Sequence, residues 1–290
     1  MERIGFVGTG AVGSTLARAL DQAGFGVIAV AGRTPDRSRV LAAELDGCTA
    51  LDEPQAVVDA TDLVFLTVPD DAISEVCASL RWTERHAAVH CSGAHTVASL
   101  QTAAGSGAQV GACHPMQAFA GSGDVAEHLK GCMFGVEAEE PLRGTLDHLV
   151  RGIGGWSMFL RSEDKVMYHL AGVIASNYLV ALAASATELL QSKGSSRDDA
   201  LKGLMPILRG TVSNLDSRGL PMALTGPISR GDIGTIQTHL ETLREQHPDL
   251  LSLYLELAWR TVPVALERGG LSSDRARELE SLFKRFAVPE

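Results

Sequence analysis

Two groups of residues have the types and the spacing to do chemistry, and the first lies at the start of the chain. The run Gly8-Thr9-Gly10-Ala11-Val12-Gly13 follows an apolar segment and precedes a helical pattern. In that context the first glycine allows a tight turn, the second lets a pyrophosphate approach the backbone, and the third lets helix and strand pack closely. The helix that follows offers unpaired N–H groups and a partial positive charge to the phosphates. The run predicts a dinucleotide site; the alternative is a glycine-rich turn without a ligand.

The second group is a polar and small stripe on an otherwise apolar helix. Lys165, His169, Gly172 and Ser176 fall within an arc of about 60°, and Asn177 lies just outside it. Reduction of a carbonyl or an imine needs a proton donor and a group that orients the substrate. Lys165 or His169 is the expected donor, Ser176 or Asn177 is expected to hold the substrate, and Gly172 leaves room for a ring. The alternative is a stripe that pairs with a neighbouring helix or a second subunit.

The end of the second predicted strand indicates which dinucleotide is bound. An NAD site has Asp or Glu there for the ribose hydroxyls, whereas an NADP site has Arg and small hydroxyls for the 2′-phosphate. Arg33 stands about twenty residues after Gly13, where the acid would be, and Thr34 follows it. Arg37 adds a second positive charge, whereas the carboxylate of Asp36 argues against a 2′-phosphate site. The sequence favours NADP(H) over NAD, because a guanidinium binds a phosphate with two hydrogen bonds.

Three more strand ends carry polar or small residues, and ligands of open α/β sheets bind beyond such ends. Val68-Pro69-Asp70 should pass near the nicotinamide ribose, Ser92-Gly93 follows the next strand, and His114-Pro115 follows the one after. We expect Ser92, Gly93 and His114 to line the pocket. The alternative for His114, as for His90 at the neighbouring strand end, is a hydrogen-bonded structural histidine.

A third cluster lies in the loop from Leu224 to Asp232. A helical domain with apolar faces often pairs with its own copy, so this loop could close over a partner's cofactor site. Thr225 and Arg230 would then contact the substrate, with Arg230 supplying a charge for an acidic compound. An ordinary Gly/Pro turn with a helix N-cap at Asp232 is the alternative.

The elements that must position these residues alternate in the first half of the chain. Short β-rich runs are predicted at Ile4–Gly8, Val27–Ala31, Leu63–Val68, Ala87–Cys91, Gln109–Cys113, Met133–Glu137 and Trp156–Leu160. Helical patterns lie at Val12–Ala23, Asp36–Asp46, Ala72–Leu80, Val97–Ala103 and Pro141–Arg151. Such alternation predicts an α/β fold, a Rossmann-type doubly wound parallel sheet.

After residue 161 the strand patterns stop, and the rest of the chain is predicted to be helical. A long helix should run from Ser162 to about Lys193, and further helices are expected at Asp198–Ser217, Asp232–Glu245, Asp249–Glu267 and Ser273–Phe286. We therefore expect a dinucleotide-binding domain over residues 1–161 and a helical dimerisation and substrate domain over residues 162–290, with the site between them.

Composition limits the partners and the compartment. The chain of 290 residues has a formal net charge of −10, which argues against nucleic-acid and anionic-membrane partners. Its five scattered cysteines suit a reducing cytoplasm and predict neither a disulfide framework nor a metal site. No targeting signal is expected, because residues 3–7 already form a strand. The apolar run from Val166 to Ala186 has the length of a membrane span, but it contains polar residues and equally suits the core of a homodimer.

These motifs together resemble the family that joins a Rossmann-like domain to a DUF2520 domain. The resemblance rests on the glycine run, Val68-Pro69-Asp70, His90–Ala94, Cys113–Gln117, Tyr168-His169 with Ser176–Tyr178, and Leu224–Asp232. That family is related to F420-dependent NADP oxidoreductases, pyrroline-5-carboxylate reductases and alternative ketopantoate reductases. Related dehydrogenases use a Lys and an Asn one helical turn apart, whereas here Lys165 is followed by His169 at that spacing. The resemblance implies an NADP-binding domain followed by a helical dimerisation domain.

The sequence thus predicts an NADPH-dependent reductase of a small keto acid, ketopantoate first, or of a cyclic imine. For the keto acid, Lys165 or His169 would protonate the new alkoxide, whereas an imine could bind already protonated. Two alternatives stay open: hydride exchange between F420 and NADP, and a non-catalytic dimer that binds or senses NADP.

Overall fold

A computed structural model of the chain describes residues 3–119 and 129–287. It divides into two compact units, Met1–Asn177 and Tyr178–Glu290. This division lies further along the chain than the expected limit at residues 161 and 162, because the helix that begins at Lys165 is anchored on the sheet of the first unit. Lys165 hydrogen-bonds to Ser92, and Tyr168 hydrogen-bonds to His114.

The first unit is built on one sheet of eight strands in the order β3-β2-β1-β4-β5-β6-β7-β8. The strands are β1 Ile4–Val7, β2 Val27–Ala31, β3 Thr49–Ala50, β4 Leu63–Leu66, β5 Ala87–His90, β6 Gln109–Pro115, β7 Met133–Ala138 and β8 Trp156–Phe159. All seven predicted strands are present. Only β3, two residues long at the sheet edge, has no counterpart among the sequence predictions.

Helices cover both faces of this sheet, which confirms the doubly wound architecture. Helices α1 (Ala11–Gln22), α2 (Pro35–Glu44) and α6 (Leu142–Gly152) pack on one face, where Phe6, Leu41 and Leu146 belong to the same buried cluster. Helices α3 (Pro54–Ala60), α4 (Ile73–Ser79) and α5 (Gln101–Gly105) pack on the other face. Side chains of a strand point alternately to the two faces, so Phe6 and Val7 lie in different clusters.

The sheet departs from the prediction in one respect, because β7 runs antiparallel to β6. Cys113 pairs with Val136 and His114 pairs with Gly135 in this ladder, while every other neighbouring pair of strands is parallel. Antiparallel neighbours need no crossover helix, and the sequence predicts none between these two strands. Parallel order resumes at β8, which follows helix α6.

The long helix predicted after Ser162 is interrupted in the structure. A 3-10 turn over Ser162–Asp164 leads into α7 (Lys165–Ala175), and α8 (Asn177–Gln191) follows after Ser176. The interruption is slight: Ser176 stays in the right-handed helical region at φ −112° and ψ −68°, and its N–H donates to the carbonyl oxygen of Gly172 at 2.9 Å. An 18-residue window within Ser162–Gln191 has a mean hydropathy of 1.5, and only 6% of that window is buried. By length and composition alone, Ser162–Gln191 is the one described helix that could cross a membrane.

The second unit consists of helices, as predicted. After α8 come α9 (Arg197–Arg218), α10 (Pro227–Arg230), α11 (Ile233–Gln246), α12 (Pro248–Glu267) and α13 (Ser273–Ala287). Its core joins α11, α12 and α13 through residues such as Leu240, Val262 and Phe283. Asp232 caps α11 by accepting a hydrogen bond from the N–H of Thr235 at 3.1 Å.

Candidate active site

The glycine turn connects β1 to α1 and is held by close contacts. Gly8 has φ +111°, and a Cβ there would lie 2.5 Å from the carbonyl oxygen of Thr67. A Cβ on Gly13 would lie 2.3 Å from the oxygen of Gly8. Only glycine satisfies both the conformation at Gly8 and the approach at Gly13. These two residues therefore bring α1 down onto the end of β1.

Gly10 differs from its two neighbours, because the space beside it is open. A Cβ there would meet no heavy atom within 4 Å, and Gly10 caps α1 without a side-chain hydrogen bond. The helix N-terminus, with Ala11 and Val12 in its first turn, thus keeps backbone donors for an anion. The residues present fit the pyrophosphate of a dinucleotide, and Thr9 borders the turn through a 3.4 Å contact with Ser38.

The end of β2 provides the cationic side chain predicted for the 2′-phosphate. Arg33 and Thr34 are exposed, and no carboxylate pairs with Arg33 among residues 3–119 and 129–287. Thr34 precedes α2 without using its hydroxyl as a cap. Asp36 is occupied by Arg39, whose Nη1 lies 2.9 Å from Oδ1. Asp36, the acidic residue that argued against an NADP site, is therefore already paired with a cation.

The loops after β4 and β5 are joined by a short hydrogen bond. Ser92 Oγ donates to Asp70 Oδ2 at 2.6 Å, just beyond Val68 and Pro69, and it accepts the N–H of His95 at 3.0 Å. His90 is fully buried beneath this loop: its Nδ1 accepts the N–H of Ser92 at 3.1 Å. Burial, with the nearby Lys165 cation, lowers the pKa of His90 to about 4. His90 is thus a neutral residue that shapes the loop.

Lys165 is buried rather than directed to solvent. Its side chain is 1% exposed, and Nζ lies 3.5 Å from Glu137 Oε2 and 3.2 Å from the carbonyl oxygen of Ser92. Burial lowers the pKa of Lys165, while Glu137 opposes that effect. Glu137 also accepts hydrogen bonds from Ser162 and from the N–H of Val97. The ammonium thus ties α7 to β7 and to the loop after β5.

Tyr168 bridges the β6–β7 ladder at the point where His114 and Gly135 are paired. Its hydroxyl donates to the carbonyl oxygen of His114 at 2.9 Å and accepts the N–H of Gly135 at 3.0 Å. The same oxygen lies 3.2 Å from Nδ1 of the His114 ring. Burial raises the pKa of the phenol, so Tyr168 stays protonated. Burial, with His169 and Lys165 nearby, lowers the pKa of His114 to about 4.

Gly93 brings the two predicted site histidines together. A Cβ on Gly93 would lie 2.8 Å from His169 Nδ1 and 2.9 Å from His114 Nε2, so only glycine fits between the rings. The ring centroids of His114 and His169 are 6.1 Å apart. One turn further along α7, Gly172 lies against the sulfur of Met116. The predicted stripe therefore faces the strand ends of its own unit rather than another helix.

A cavity of about 570 Å³ lies against this face of α7. Its polar lining includes four of the predicted residues, His114, His169, Ser176 and Asn177. Lys165 is not part of the lining. The remaining residues are Gln117 and a mainly apolar set: Met116, Ala118, Met133, Ala171, Gly172, Val173 and Ala175. None of the lining residues that the structure describes carries a formal charge, so this part of the cavity suits a mainly apolar molecule with a few hydrogen-bonding groups.

Two residues of this region were not predicted as site residues from the sequence. Glu137 is a carboxylate inside an apolar strand, and that position was a signal for a buried cationic partner. Tyr168 stands beside His169 on the helix, but no spacing rule indicates that it bridges a strand ladder. Thr225 and Arg230 lie in the second unit, where both are exposed, and their contact with a substrate stays a prediction.

The fold and the glycine turn define a class, the NADP-dependent oxidoreductases, as predicted from the sequence. More particularly, residues 3–92 match the family of NADP oxidoreductases described as coenzyme F420-dependent, and residues 132–261 match the domain of unknown function DUF2520. The chain matches both models one after the other, in agreement with the predicted resemblance and with an NADP(H) cofactor. No curated protein sequence matches the chain.

Solved structures share the fold over nearly the whole chain. Protein TM1727 from Thermotoga maritima is 28% identical, with a TM-score of 0.73 over 91% of this chain and 98% of that one. A pyrroline-5-carboxylate reductase from Coxiella burnetii is 16% identical, with a TM-score of 0.60 over 96% and 98%. A reductive aminase from Aspergillus terreus, solved with NADPH and ethyl levulinate, is 17% identical, with a TM-score of 0.60 over 99% and 94%.

Proposed function

We propose that the protein is an NADPH-dependent reductase of carbon–nitrogen double bonds, and that the cavity beside α7 holds its substrate. The observation that carries this proposal is the set of hydrogen-bonding groups in the described lining, where no side chain among residues 3–119 and 129–287 has a fixed charge. The polar groups are two imidazoles, two amides and a hydroxyl. They suit a small imine with apolar substituents.

A keto acid such as ketopantoate fits this lining less well. Its carboxylate would meet no cationic side chain among the described lining residues, whereas the N–H of a protonated imine can donate to an imidazole or amide group there. Lys165 does not line the cavity, because its ammonium is already held by Glu137 and Ser92. An imine that binds protonated brings its own proton, so it needs no acidic side chain. The imine is therefore the better of the two substrates expected from the sequence.

The structural neighbours support this choice of chemistry. The Coxiella enzyme is a pyrroline-5-carboxylate reductase, and the Aspergillus enzyme is a reductive aminase. Both names concern compounds in which carbon is bonded to nitrogen. Their identity to this chain is low, so the support comes from the shared architecture together with the uncharged cavity.

The roles of the side chains follow from their positions. NADPH, when bound, supplies the hydride and the electrons for the reduction. Gly10 and the first turn of α1 hold its pyrophosphate, and Arg33 with Thr34 holds the 2′-phosphate. His169, Ser176 and Asn177 orient the substrate at the wall of the cavity. Lys165 acts at a distance, by holding the Ser92 carbonyl and with it the loop that carries Gly93.

We also infer that the protein works as a homodimer in the cytoplasm. The stretch Ser162–Gln191 leaves a wide apolar surface uncovered, with Met167 at 69% exposure and Val180 at 70%. Exposed apolar patches of this kind mark protein or membrane contacts. The fold is that of soluble oxidoreductases, and this favours a second copy of the chain as the occupant.

The decisive experiment measures NADPH oxidation with matched compounds. We expect turnover of 1-pyrroline, and of cyclohexanone with allyl amine, and little with ketopantoate; F420 is included as an acceptor. Reduction of ketopantoate without reduction of any imine would overturn the proposal. NADPH binding without turnover of any compound would instead favour the sensing dimer.

A matched pair of variants tests the cofactor site in the same assay. Gly10→Asp adds a carboxylate in open space at the N-terminus of α1, where it repels a pyrophosphate. We expect about 100-fold weaker NADPH binding with an unchanged melting temperature, since like charges in contact cost several kcal/mol. Gly105→Asp makes the same change at another open glycine and should bind NADPH as the wild type does. Equal binding by both variants would contradict the assignment of the turn.

A further inference from the structure

The hydroxyl of Tyr168 has one hydrogen and two lone pairs, and its contacts use all three. The carbonyl oxygen of His114 only accepts, so the hydroxyl hydrogen is directed to it at 2.9 Å. The N–H of Gly135 only donates, so it takes one lone pair at 3.0 Å. The second lone pair of the hydroxyl oxygen is therefore the one that faces His114 Nδ1, 3.2 Å away.

This arrangement determines where the proton of the His114 ring resides. Nδ1 must carry a hydrogen, because a lone pair there would face a lone pair of the tyrosyl oxygen. Turning the hydroxyl hydrogen to Nδ1 would leave the His114 carbonyl oxygen without this donor, and an unpaired acceptor in a strand ladder is unfavourable. The low pKa of His114, about 4, keeps the ring neutral near pH 7. Nε2 is therefore an acceptor.

His114 lines the cavity, and Nε2 is the ring nitrogen that Tyr168 does not contact. Gly93 leaves room beside it, since a Cβ there would lie 2.9 Å from Nε2. A protonated imine offers an N–H to such an acceptor, whereas a ketone oxygen would face it lone pair to lone pair. The ring can thus distinguish the two kinds of substrate.

We propose that Tyr168 is a positioning residue that fixes His114 as the Nδ1–H tautomer, so that Nε2 selects substrates with a hydrogen-bond donor at the reacting nitrogen. The selection rests on the proposed function, but the tautomer does not. Tyr168 touches no substrate in this account. It acts through one ring and through the backbone of β6 and β7.

The tautomer is measured directly by long-range ¹H–¹⁵N correlation NMR of the full protein labelled with ¹⁵N-histidine. The signal of His114 is assigned by its loss in His114→Gln. We expect Nδ1 at the protonated position and Nε2 far downfield, at the unprotonated position, near pH 7. The reverse pattern in the wild type would overturn the proposal, whatever the activity of the enzyme.

Tyr168→Phe tests the consequence. The ring then loses its fixed partner, and we expect the Nε2–H form to become populated. The ratio of kcat/KM for the protonated imine to that for the matching ketone should fall by about 10- to 100-fold, the size expected when a substrate donor loses its acceptor. An unchanged ratio together with an unchanged tautomer would contradict the role of Tyr168.

Tyr254→Phe is the matched control. Tyr254 contacts His239 Nδ1 at 3.0 Å with ring centroids 5.9 Å apart, close to the 5.5 Å between His114 and Tyr168, but in the second unit. It should alter the His239 signal alone. If the wild type reduces no imine, the proposed function fails, while the His114 tautomer is still decided by the wild-type spectrum. If Tyr168→Phe does not fold, the wild-type spectrum still shows which tautomer His114 adopts.

Discussion

The buried pair of Lys165 and Glu137 predicts a specific loss of stability. Lys165→Met keeps the apolar stem but leaves the Glu137 carboxylate, 7% exposed, without its cation. Breaking a buried ion pair by removing one partner costs about 3–5 kcal/mol. Glu137 keeps its hydrogen bonds from Ser162 and Val97, so we expect a value near the lower end, about 3 kcal/mol. In a thermal scan this corresponds to a fall in Tm of about 6–12 °C for the first unit.

The assay is urea unfolding of three variants beside the wild type. The double variant Lys165→Met with Glu137→Gln no longer has an unpaired buried carboxylate. We expect its free energy of unfolding to lie within about 1 kcal/mol of the wild-type value. Arg260→Met breaks an exposed pair, at 2.8 Å from Glu256, and should cost less than about 1 kcal/mol. A Lys165→Met protein as stable as the wild type but inactive would refute the reasoning, because the ammonium would then serve the chemistry rather than the fold.

Three further predictions follow from the same structure. Arg33→Ala should raise the Kd for NADPH by about 10- to 100-fold and leave that for NADH unchanged, in a fluorescence titration; equal losses for both would reject the 2′-phosphate role. Because the pKa of His90 and of His114 is about 4 in the folded chain, against 6.5 for an unperturbed histidine, the unfolded chain takes up protons first on acidification. The free energy of unfolding should therefore fall between about pH 6.5 and pH 4, by at most about 3 kcal/mol per histidine, and a flat urea series would contradict this. Val180→Glu should convert a dimer of twice 30.6 kDa to a monomer by light scattering, whereas Val40→Glu, at a similarly exposed position, should not; identical masses would exclude α8 as the interface.

Much of the fold can be predicted from the sequence because hydrophobic runs mark its strands. All seven predicted strands occur, with ends that shift by a few residues. Thr49–Ala50 is too short to give a periodic signal, and α3 is a seven-residue helix that begins at a proline. The antiparallel direction of β7 has no local signal, since a strand buried on both faces has the same composition in either direction.

The candidate site could be predicted in part. The 100° periodicity placed His169, Gly172 and Ser176 together, and all three line the cavity in the structure, because helical geometry is local. It could not distinguish Lys165 from them. The partner of Lys165 is a carboxylate on β7, and that contact exists only once the sheet has formed. The same holds for Tyr168, whose bridge joins two strands that lie far from it in sequence.

Transfer of deuterium from NADPH labelled at C4 of the nicotinamide tests the central claim most directly. The protein is incubated with the labelled cofactor and 1-pyrroline, and the product is examined by NMR. We predict one deuterium on the carbon of the former C=N bond, and about 100-fold less labelled product at subsaturating NADPH when Gly10→Asp replaces the wild type. With deuterium at both C4 positions, one label stays on the oxidised cofactor in any case; a reduced product without deuterium, or deuterium found only in a hydroxy acid formed from ketopantoate, would contradict imine reduction.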